Sequence, residues 1–147
     1  MKSTDDEFTQ ERERQVYLEG IRLFNAGQFF EAHETWEDCW NGTLDRRREQ
    51  FYRAIIRGAV TLHLLRQGRA VGVRQVFVDC MKTFEGLPEV FMGLDIPGHL
   101  AKTRHAIQPA LDDLEMKHIQ IDPTRLFEMT LLYDPFEDSR NGEEAEG

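Results

Sequence analysis

Residues 45–68, DRRREQFYRAIIRGAVTLHLLRQG, decide the fold of this chain. Phe51, Ile55, Gly58, Leu62 and Leu65 recur at helical spacing on one face, and Ile56 and Val60 carry the apolar surface round to a second side. A helix apolar over so much of its circumference is buried on more than one side, so this one is expected at the centre of the molecule. Arg53 and Arg57 occupy the remaining polar strip. Gly58 in a helix interior costs about 1 kcal/mol relative to Ala. Close passage of a second helix would offset that cost, and Ala54 and Ala59 favour such an approach.

Upstream, Asn41-Gly42-Thr43 breaks the chain between this helix and the stretch from Phe29 to Trp40, FFEAHETWEDCW. At roughly 100° per residue, Phe29, His33, Trp36 and Trp40 fall on one side of that second helix, with Glu37 beside His33. Glu31, Thr35 and Asp38 face solvent and Glu34 lies at the boundary. Earlier still, Thr4 and Glu7 have the form of a capping box, which predicts a first helix from near Asp5 to about Ala26 with Tyr17, Ile21 and Phe24 as its apolar stripe. Gly27 suits the left-handed position that ends a helix. A link of one or two residues then implies an antiparallel hairpin.

Downstream, Gly68 ends the central helix, and a fourth from Ala70 to about Glu85 carries Val73, Val76, Phe77, Cys80 and Phe84, stopped by Gly86 and Pro88. This makes a second hairpin, turning at Gly68. Residues 89–94 read as a loop or short turn. Asp95 caps a later helix with Pro97 in its first turn, lined by Leu100, Ile107, Leu111 and Leu114, and Pro109 is expected to kink or divide it. The stretch DPTRLFEMTLLYDPF is apolar enough to pack along the body, whereas EDSRNGEEAEG is acidic, free of aromatics and expected to be disordered. No run shows the alternation of a strand. The fold class is therefore all-α: a single-domain bundle of about five helices, residues 1–135, built from two short-turn antiparallel hairpins and a later helix, with an acidic tail over 136–147.

The 147 residues are enough for one domain with its own core. A formal charge of -9, concentrated towards the two ends, argues against nucleic acid held through its phosphates and against an anionic membrane surface. Cys39 and Cys80 are too few for a disulfide framework or a cysteine-based zinc motif and read as reduced thiols. The N-terminus MKSTDDEF lacks an apolar signal segment. The location these features predict is the cytoplasm.

His33, Glu37 and Trp40 form the pattern H-x-x-x-E-x-x-W. Residues four apart on a helix share a face, so His33 and Glu37 can offer two ligands to a divalent metal such as zinc or iron. Such sites need at least three protein ligands; His63 is the first candidate for the third and Glu34 the second. A different reading makes the same residues a polar network inside a structural or protein-interaction module, with the indoles of Trp36 and Trp40 closing over the pair. A third places a small ligand in a pocket walled by Trp36 and Trp40. A small molecule, a protein or a second copy of the chain would each fit as partner. His99, His105 and His118 are expected on or near a solvated face, and Arg46, Arg47 and Arg48 as a basic run paired with acidic neighbours. No phosphate loop or nucleophile elbow occurs, so no residue is assigned to catalysis.

The segment FNAGQFFEAHETWEDCW, the helix ending AVTLHLLRQG and the LDIP opening the later helix resemble a family of small all-helical bacterial and archaeal proteins. It is catalogued as domain of unknown function three hundred and nine. The resemblance spans about residues 20–100. It implies a metal role for His33, Glu37 and Trp40, and no established activity.

Overall fold

The structure, a computed structural model, describes residues 8–137. Five helices follow in order: α1 (Gln10–Asn25), α2 (Phe29–Gly42), α3 (Arg46–Arg66), α4 (Ala70–Phe84) and α5 (Ile96–Asp112). Between α4 and α5 lies a two-stranded antiparallel hairpin, β1 (Val90–Phe91) with β2 (Leu94–Asp95). The all-α class holds. The hairpin escaped the sequence reading because strands of two residues have no alternation to detect.

The two expected turns use one device. After α1, Gly27 (φ +79°) donates to Phe24 O and Gln28 to Leu23 O; after α3, Gly68 (φ +77°) donates to Leu65 O and Arg69 to Leu64 O. These paired bonds satisfy the last carbonyls of a helix while a left-handed residue reverses the chain. The link from α2 to α3 is equally short. Asp45 caps α3 by accepting from the amides of Arg47 and Arg48. Successive helices therefore pack side by side, with α3 between α2 and α4, and α5 lies against α3 and α4. The central place expected for α3 is what its buried faces show.

Several boundaries and registers differ from expectation. The described part of α1 starts at Gln10, with Thr9 as its cap accepting from Arg12 N; Thr4 and Glu7 lie outside the described residues. Pro109 neither divides nor ends α5, which runs on to Asp112. The carbonyl that Pro109 cannot bond is that of His105, four residues back, and Arg125 Nη1 donates to it at 2.9 Å. The buried stripe of α5 is Ile96, His99, Thr103, Ala106, Ile107 and Ala110, rotated from the predicted leucine stripe, whose Leu114 lies beyond the helix and is exposed. Gly58 is buried, but a Cβ there would meet Cys80 Sγ and His99 Nε2 only at 3.6 Å, an ordinary contact. The tight approach is at Gly20 instead, where the indole of Trp36 occupies the space a Cβ would take.

Beyond α5 the chain crosses back over the body as a strap. Arg74 draws its start down by donating to the carbonyls of Ala110, Asp113 and Met116. Asn25 bonds Met129 through both its N–H and its oxygen, Leu132 N donates to Gly93 O, and Arg14 pairs with Asp134. Met129 and Phe136 are buried, so DPTRLFEMTLLYDPF packs as its composition suggested. Residues 138–147, most of the expected acidic tail, lie outside the described residues. Among the described residues no helix is long and apolar enough to cross a membrane.

Candidate functional site

The apolar face of α2 consists of Phe29, Ala32, Trp36 and Cys39. His33 and Glu37 lie beside this face, not within it: their side chains keep 19% and 44% of their exposure. The inward-facing pair expected from the sequence is thus a rim pair on the side of α2 next to α3. Apolar projection placed them within a stripe that, once α1 had claimed Trp36 and Cys39, was narrower than the aromatics suggested.

The local geometry still orders His33. Its Nδ1 lies 3.0 Å from Phe30 O, one helical turn back. A carbonyl can only accept, so Nδ1 carries a proton, which leaves Nε2 as the ring atom facing Glu37 Oε2 at 3.7 Å. These are two potential ligand atoms. His63 does not join them. The Phe30 ring packs against both imidazoles, its centroid 5.0 Å from that of His33 and 5.2 Å from that of His63. Glu34 is exposed. Among the described residues no three His, Cys, Asp or Glu side chains come together to hold a metal ion, so this chain's described residues do not complete the zinc or iron site that the motif suggests.

The two tryptophans part company. Trp36 is fully buried in the seam between α1 and α2 and donates Nε1–H to Tyr17 O at 3.1 Å. Its indole cannot also wall a pocket beside His33. Trp40 is half-buried and packs against the core margin. The expected network of His33, Glu37 and both indoles is therefore two separate features, a buried Trp36 bond and a rim pair.

A denser polar cluster sits elsewhere. Glu13 is buried, and Tyr52 Oη donates to its Oε2 at 2.5 Å, with Arg48 Nη1 3.6 Å from the same oxygen. Cys39 Sγ approaches Glu13 O at 3.7 Å, and Tyr17 Oη donates to Met92 O at 2.8 Å. Burial holds the Tyr52 hydroxyl and the Cys39 thiol protonated far above their ordinary ranges, with the Glu13 charge adding to it. The water that burial takes from the Glu13 carboxyl group is replaced by the Tyr52 hydrogen bond and the nearby Arg48 guanidinium. The cluster bridges α1 and α3 and opens on a cleft of ≈ 360 Å³ lined by Glu13, Arg48, Thr43 and Leu44. The signal was present in the sequence: Glu13 is four residues before Tyr17, on the same stripe as Ile21 and Phe24.

His99 is the second departure. Expected near solvent, it is buried among the rings of Phe24, Phe84 and Phe127 at 6.1, 6.3 and 5.5 Å. Burial, then the nearby charge of Lys102, pushes its pKa down to about 4. His105 and His118 are exposed, as read from the sequence.

Fold and rim pair together define a small helical protein in which successive hairpins present an H-x-x-x-E-x-x-W helix at one margin. The sequence model of the family described as "Domain of unknown function (DUF309)" matches residues 17–76, from Tyr17 on α1 to Val76 on α4, and over that segment the chain resembles this family. A protein of Aquifex aeolicus (strain VF5), described as "Uncharacterized protein", is 27% identical over 85 residues, 58% of this chain and 26% of that protein. The chain thus spans about a quarter of the length of this relative.

Proposed function

We propose that this protein is a helical interaction module whose contact surface is the α2–α3 margin around Phe30, and that its partner is another protein. One observation carries this reading: Phe30 is 44% exposed and packed against the imidazoles of both His33 and His63. A large ring fixed by its neighbours loses little freedom on binding, and aromatic side chains with polar groups around them dominate the energetics of protein interfaces. The Glu37 carboxylate and the two imidazoles supply the polar rim such a centre requires. The match to one quarter of a longer relative suits a unit that is joined to others. The divalent-ion reading has narrower support, two ligand atoms at His33 and Glu37 that would need further ligands from a partner.

The test places a photoreactive phenylalanine analogue at position 30 in the source cells. A discrete adduct of defined mass is expected, and Phe30→Asp should weaken binding of the identified partner by roughly tenfold or more, the scale of an interface hot spot. An adduct pattern identical to that from the same probe at exposed Leu132 would reject the reading.

A further inference from the structure

We infer that Arg53 and Arg57 form an oxyanion-binding site on the half-buried polar strip of α3, one that takes a carboxylate or phosphate group. Glu49, Arg53, Arg57, Val60 and Leu64 are the half-buried residues of this strip, and Leu64 packs beside Gly72 of α4. Arg53 Nε is buried yet has no hydrogen-bond partner, the one buried side-chain nitrogen or oxygen among the described residues in that condition. No other Arg53 side-chain nitrogen is within bonding geometry of a described acceptor. Arg57 makes one long bond, Nη1 to Arg53 O at 3.4 Å.

The other half-buried arginines among the described residues are satisfied: Arg14, Arg48 and Arg125 pair with carboxylates and Arg74 bonds carbonyls, whereas Arg12, Arg46, Arg47, Arg69 and Arg104 are exposed to water. Among the described residues no carboxylate oxygen, that of Glu49 included, lies within 4.0 Å of Arg53 or Arg57. The contrast is sharp in a chain of net charge -9, where acidic partners outnumber bases.

The energetics explain why this arrangement needs an occupant. A guanidinium offers five N–H donors and stays charged at any accessible pH. A buried donor left unpaired forfeits its water hydrogen bonds with nothing in exchange, and the loss is larger when the group is charged. Two like charges one helical turn apart also repel. An oxyanion seated between the two forks removes both penalties at once, and planar guanidinium pairs suit carboxylate and phosphate oxygens equally well. The ligand chemistry is therefore the oxyanion itself. Whether a small phosphate compound or a carboxylate brings it is decided by which anion binds. The inference does not depend on the Phe30 contact, since its donors are on α3 and require no protein partner.

The test titrates the full-length protein with inorganic phosphate and, separately, with acetate, at constant ionic strength. It follows melting temperature and the Arg53 Nε–Hε resonance. At least one anion should raise the melting temperature saturably and shift that resonance, and Arg53→Gln should weaken the response roughly tenfold or more, as loss of a charged hydrogen bond does. A response to phosphate alone identifies phosphate as the occupant, and a response to acetate extends the site to carboxylates. A response to neither, or one that Arg53→Gln together with Arg57→Gln leaves intact, overturns the inference. Without anion, Arg53→Gln should melt no lower than wild type, because it removes an unpaired charged donor; a lower melting point would show a bracing role instead.

Discussion

His99 carries a neutral ring because three phenylalanines surround it and Lys102 opposes a second positive charge. Unfolded, the same ring takes up a proton near its ordinary value of 6.5, against about 4 when folded. Between those values the unfolded chain binds the extra proton. Stability present above pH 6.5 is therefore lost progressively as pH falls towards 4, by up to about 3 kcal/mol. Urea unfolding of wild type and His99→Leu at pH 7 and pH 4.5 checks this: the wild type should lose more stability on acidification than the variant, and equal losses would refute it. The error in placing His99 by sequence was one of register. Leu100 and Leu111 outweighed it in a count of apolar residues, although His99 lies in step with Thr103, Ala106, Ile107 and Ala110. Glu13 was overlooked for a related reason. A charged residue on an apolar stripe reads as an exception until Tyr52, thirty-nine positions away, supplies its donor.

At the level of elements, the pairing of α1 with α2 rests on Trp36 lying across Gly20 and bonding Tyr17 O. Gly20→Ala puts a methyl where the indole lies, and a helix-favouring substitution becomes destabilising. A loss of about 1–3 kcal/mol is expected, the scale of overpacking, with a red-shifted tryptophan emission as the indole is forced outwards. A more stable variant would show that the seam can open without cost. Helix ends were legible because their determinants are local: Gly27, Gly68 and Asp95 act on amides and carbonyls within four residues. The His33–Glu37 adjacency was legible for the same reason. What three-dimensional packing decides was not, namely that Phe30 would pack on both His33 and His63 and that Trp36 would turn to α1 while Trp40 stayed at the margin. Nor could Pro109 be judged alone, since Arg125 supplies the bond that lets the helix pass it.

The molecule as a whole is a row of neighbouring helices with a strap drawn across it. Asn25 holds the strap by two hydrogen bonds to Met129. Asn25→Ala should speed amide exchange in residues 126–134 by roughly tenfold or more, given about 1–3 kcal/mol for the groups left unpaired, while amides of α3 keep wild-type protection. Equal acceleration in α3 would mean that strap and helices open as one unit.

The pairing of Arg14 with Asp134 joins positions 120 residues apart. Each of the first four helices, by contrast, packs on its sequence neighbour, and contacts of that kind form fast because little chain must be closed to make them. On a translating ribosome α1 to α4 can settle against one another while the strap is still unmade. The order of synthesis is then also the order of assembly, and the last described residues to emerge are the ones that tie the ends together.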